Sequence, residues 1–86
     1  METIITDRAK PFHLPVKVRL DIASTDVWSA EQAARMLADV AWPARGKRHE
    51  TALDACLKAL DGHRSTVDAR NAFVEAAREA DVLLEF

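Results

Sequence analysis

The chain has 86 residues, a net charge of -2, 49% hydrophobic and 30% charged residues, and one cysteine. That is one domain with one core, too apolar for a disordered chain and too short for a second core. The composition excludes an internal disulfide, a bulk attraction to phosphate backbones and, with no apolar run near the roughly 20 residues required, a helical membrane span.

Residues 1–14 carry no sustained period and end in "KPFHLP", punctuated by Pro11 and Pro15. They read as a loose N-terminal arm, in which "TIIT" offers an edge strand, ahead of a single domain over residues 15–86. The start has no basic region followed by an apolar block, so a secretory signal is not expected, and the expected location is the cytoplasm. From Val16 the pattern sharpens: Val16, Val18, Leu20 and Ile22 alternate with Lys17, Arg19 and Asp21, the period of two of a half-buried strand. "ASTD" supplies turn chemistry and "DVW" a short returning strand.

Ser29 is placed to cap a helix, with Gln32 three residues on to complete a capping box by reaching back to the Ser29 amide. That helix is expected from Ala30 to about Ala41, with Ala33, Leu37, Val40 and Ala41 inward and Glu31 paired to Arg35 outside. Trp42-Pro43 should end it, since a residue before proline is driven out of the helical region. A second helix, running after Gly46 to about Asp61, should bury Ala52, Leu53, Cys56, Leu57 and Leu60, with Gly62 left-handed at its end. Ser65 or Thr66 should cap a third helix carrying Ala69, Phe73, Ala76, Ala77 and Ala80. The fold class expected is α+β, a small antiparallel hairpin or sheet covered on one face by three helices, in the order ββααα.

Three strings in this order carry a resemblance: Trp42-Pro43, "GKRHETALDACLKALDG" at 46–62 and "ARNAFVEAAREA" at 69–80. Over about residues 15–82 the chain resembles the small alpha-proteobacterial proteins, common in rhizobia, catalogued as domain of unknown function 982. The resemblance implies an architecture and a bacterial, cytoplasmic setting. It implies no activity, ligand or catalytic residue.

Chemistry-bearing residues gather at one place. Arg45, Lys47, Arg48 and His49 surround Gly46 just before the second helix. Cations there oppose the helix dipole, and an anion held by the free amides would relieve them, so Arg45, Gly46, Lys47, Arg48 and His49 form a candidate site for a small anion or nucleotide. A Lys47–Glu50 pair with solvation is the simpler account. A nucleic-acid regulator is disfavoured, because the third helix mixes Asp68, Glu75 and Glu79 with Arg70 and Arg78. His49, Cys56 and His63 recur every seven residues, about 10.5 Å apart along a helix and too far for one ion, so no metal or other cofactor is expected. No nucleophile elbow or phosphate loop is present and no enzyme is expected. Trp42 reads as a buried plug. The apolar end "DVLLEF" can dock on the core, add a third strand or meet a partner. Val82, Leu83, Leu84 and Phe86 are therefore the candidate interaction surface, for a homodimer or an unknown protein partner. A non-enzymatic interaction module is the reading preferred.

Overall fold

A computed structural model describes residues 9–20 and 22–85. Strand β1 (Pro11–Leu20) and strand β2 (Ala23–Ser29) form a hairpin. Three helices follow: α1 (Ala30–Ala38), α2 (Lys47–Leu60) and α3 (Thr66–Glu79). A short strand β3 (Leu83–Glu85) returns to the sheet, whose order is β2-β1-β3 with both pairings antiparallel. The fold is α+β, three helices over a three-stranded antiparallel sheet, as the ββααα pattern requires. The apolar end takes the second of its three options and adds a strand.

Alternation decides which sheet face is covered. Val16 and Val18 of β1 and Val27 of β2 are wholly buried, while Lys17, Arg19, Asp26 and Trp28 point the other way. The buried valines meet Ala30, Ala33 and Leu37 of α1, Ala52, Cys56 and Ala59 of α2, and Ala69, Phe73, Ala76 and Ala77 of α3 in one core. Alanine along all three helices lets their axes approach closely. Trp42 and Phe73 supply the bulk, with ring centroids 5.6 Å apart. Trp42 is the buried plug its position suggested, although its Nε1 has no hydrogen-bond partner.

Several boundaries differ from expectation. β1 begins at Pro11, so residues 11–14 of the expected arm belong to the sheet and Phe12 joins the core. The ladder is irregular between Pro11 and Val16, which is how a strand holding Pro11 and Pro15 stays paired. The rest of the expected arm, residues 1–8 with "TIIT", lies outside the described residues. Ile22 does not continue the alternation; it lies in the hairpin turn and is 92% exposed.

Helix α1 stops at Ala38, three residues short of the expected Ala41, because Asp39 takes an extended conformation and its carboxylate accepts the Ala41 amide at 2.8 Å. Val40 and Ala41 are therefore exposed rather than inward. In α2, Leu57 is exposed and Leu53 and Leu60 half-buried, because Ala52, Ala55, Cys56 and Ala59 take the inner stripe. Ser29 and Ser65 cap α1 and α3, accepting the amides of Gln32 at 3.1 Å and Asp68 at 3.0 Å. Gly62 ends α2 at φ 82°, the left-handed position expected of it, and Asp81 ends α3 in the same region at φ 61°.

Candidate functional site

The five residues of the basic corner do not converge. Arg45 turns back and donates from a terminal nitrogen to the Asp39 carbonyl. His49 is buried on the inner side of α2, its Nε2 2.6 Å from the Leu37 carbonyl. It ties the second helix to one of the unpaired carbonyls at the end of the first, and its ring faces away from an incoming anion. Lys47 and Arg48 remain exposed beside Gly46, which caps α2 without a side chain.

The partner of this helix start is already in the molecule. Glu79, at the end of α3, sets Oε2 3.4 Å from the Arg48 amide, and a Cβ added at Gly46 would meet that same oxygen at 2.8 Å. Glu75, one turn earlier, accepts from the Arg48 guanidinium at 3.3 Å and lies 3.8 Å from Arg78. A carboxylate at a helix N-terminus is stabilised by the partial positive charge of the free amides, so Glu79 stands where an outside anion would stand. Among the described residues no ion pair joins Lys47 to Glu50; the carboxylates that answer the corner come from α3 instead.

Beside this cluster lies an open pocket of about 270 Å³, lined by Lys47, Arg48, Thr51, Ala72 and Glu75. Ala72 leaves room between α2 and α3, and the walls carry both signs of charge. Elsewhere, Arg64 pairs with Asp68, Lys58 with Asp54 and Arg35 with Glu31, each four residues apart.

The candidate interaction surface divides. Val82 is buried, its carbonyl accepting the Arg19 amide at 2.8 Å and its own amide bound to the Ala77 carbonyl at 3.0 Å. Leu83 packs against the core, and only Leu84 is exposed, at 47%. Val82 and Leu83 are thus spent on completing the sheet. Phe86 lies outside the described residues. Apolar exposure also appears on the hairpin: Trp28, on the outer face of β2, is 54% exposed, and Leu14 of β1 is 55% exposed.

A family model described as "Protein of unknown function (DUF982)" matches residues 14–84. The chain belongs to the DUF982 family. The matched span takes in β2, all three helices, β1 from Leu14 onward and β3 as far as Leu84, so the DUF982 unit includes the returning strand. No curated protein and no solved structure matches the chain.

Two residues that organise this DUF982 domain escaped the sequence reading. Arg70, counted as a surface charge, is 7% exposed; its Nε donates to the Leu14 carbonyl at 2.9 Å and a terminal nitrogen to the Pro15 carbonyl at 3.3 Å. It supplies donors to the irregular stretch of β1 that the ladder leaves unpaired. Gln32 caps as expected through its amide, but its side chain does not reach back to Ser29. Oε1 accepts the Trp28 amide at 2.9 Å and Nε2 donates to the Asp26 carbonyl at 3.0 Å. Neither contact has a signal in local spacing beyond the S-x-x-Q motif itself.

Among the described residues no helix is long and apolar enough to cross a membrane, and no three His, Cys, Asp or Glu side chains gather as a metal site.

Proposed function

We propose that this domain is a non-enzymatic interaction module whose contact surface is the open face of the sheet, centred on Trp28. The observation that carries the reading is the contrast between the two tryptophans: Trp42 is 2% exposed, and Trp28 is 54% exposed on the sheet face opposite the helices. Tryptophan is over-represented among the residues that dominate binding energy at interfaces. Leu84 shares that face by alternation with the inward Leu83. Strands of ten, seven and three residues present roughly 320 Å², under half of the ~800 Å² per partner of a standard stable complex. The contact is therefore of the small, transient class, or it extends past the sheet onto a partner that wraps it. A lone buried thiol, Cys56, fits the reducing cytoplasm the family resemblance implies.

The test compares partners crosslinked in the native host to the wild type, to Trp28→Lys and to Lys47→Glu, all with matched melting curves. Loss of a partner set with Trp28→Lys alone supports the sheet face. The same set on all three chains refutes it.

A second reading, small-anion binding, rests on the pocket between α2 and α3 with Lys47 at its rim. It ranks lower because Glu75 and Glu79 already answer Arg48 and the free amides. A rise in melting temperature with inorganic phosphate that disappears in Lys47→Glu would move the function there, and an unchanged melting temperature would exclude it.

A further inference from the structure

The side-chain amide of Gln32 stands where the backbone of a fourth strand would stand. In the sheet order β2-β1-β3, β2 has one edge against β1 and, among the described residues, one without a strand. Asp26 and Trp28 are two residues apart, so their backbone groups point the same way, and the Trp28 amide bound to Gln32 fixes that direction as outward. A carboxamide presents N–H donors and a carbonyl acceptor side by side, as a strand's backbone does. Gln32 offers both at once, at 2.9 and 3.0 Å, to neighbouring outward groups of the edge. The other usual protections of an edge are thin here: β2 (ASTDVWS) has no lysine and no proline, and Asp26 is its one charge.

We propose that Gln32 is an edge guard, which keeps β2 from pairing with the β2 strand of a second copy of this chain. The second copy is the occupant the register favours. Outward backbone groups fall at residues 24, 26 and 28, and the covered face continues across a two-fold axis only if residues of like parity meet. The antiparallel register centred on Thr25 satisfies this and keeps Ser24 within the paired stretch, setting Asp26 opposite Ser24 rather than opposite its own copy. Withdrawal of the Gln32 amide leaves the Asp26 carbonyl open to the Ser24 amide of the second copy.

The experiment is sedimentation equilibrium of the full chain over a wide concentration range, with amide hydrogen exchange on the same samples. Wild type should remain monomeric through this edge, with the Trp28 amide protected and the outward Ser24 amide exchanging freely. Gln32→Ala should associate, its weight-average mass rising towards twice the monomer's, with the Ser24 amide becoming protected as the new strand pairs. Ser29→Ala, which removes the cap of the same helix but leaves the guard, should stay monomeric at comparable stability. A monomeric Gln32→Ala would overturn the proposal. So would association without Ser24 protection, equal association of Ser29→Ala, or a wild-type Trp28 amide that exchanges as fast as that of Ser24.

Discussion

Replacing Arg70 with methionine isolates the clamp on β1. Methionine keeps most of the buried stem and removes the guanidinium, so packing changes little while two hydrogen bonds disappear, at 2.9 Å to Leu14 and 3.3 Å to Pro15. Bonds from a charged donor contribute about 1.5–3 kcal/mol each, and the two carbonyls would lose their protein partners. Against that stands the cost of holding a cation in the interior, which the variant no longer bears. Leu14 is more than half exposed, so water can reach its carbonyl and soften the loss. A net destabilisation of about 2 kcal/mol follows.

A domain of this size has a stability of about 4–13 kcal/mol, so Arg70→Met should fold but melt roughly 10 °C lower. Thermal and urea denaturation followed by circular dichroism measure the difference, and amide exchange should quicken around residues 12–16. Arg70→Lys, with one donor group in place of a fork, should fall between the two. An Arg70→Met protein within about 0.5 kcal/mol of wild type, the scatter of ordinary surface changes, would show that the irregular stretch is held by other means.

Other outcomes are expected from single residues. Gly62→Ala should cost about 1 kcal/mol and Asp81→Gly should gain a similar amount, because both positions are left-handed and only one now holds a glycine; the pair is read by urea titration. Burial pushes the Cys56 thiol from 9.0 up to about 12, so it should resist alkylation at neutral pH until the domain unfolds. The folded state then holds a proton that the unfolded state releases. Stability is full below pH 9.0 and falls, by up to about 1.4 kcal/mol per unit, as pH rises towards 12; Cys56→Ala should lack that part of the alkaline slope. Glu79→Ala should destabilise by about 0.5 kcal/mol, an effect that shrinks in high salt if the carboxylate acts on the α2 dipole.

Features set by near neighbours were readable from the chain. The alternation of Val16 and Val18, the caps at Ser29 and Ser65, the left-handed Gly62 and the Glu31–Arg35 pair each depend on residues within one turn or one pleat, and each is present. What escaped depends on distant partners. Pro11 and Pro15 made residues 11–14 look like an arm, since the donors that steady this stretch come from Arg70, 56 residues away from Leu14. The basic corner looked short of an anion because Glu79 reaches the Arg48 amide from 31 positions further on. His49 shared the charge of its neighbours in the sequence but turned inward once α2 had wound far enough to set it against Leu37. Ile22 shows the converse error: a perfect alternation carried two residues past the point where the strand ends.

The returning strand has a consequence for how the domain assembles. The hairpin closes through a few residues, a microsecond event, whereas Lys17 meets Glu85 and Val18 meets Leu83 across nearly the whole chain. Closing a loop that long costs entropy before any contact repays it, so the third strand should join late, after the helical layer has brought the two segments together. The central strand thus acquires its neighbours at very different times. Until β3 arrives, Arg19 and Lys17 line an unfinished edge. A refolding trace should then show helical signal recovered before the amides of Arg19 and its neighbours gain protection.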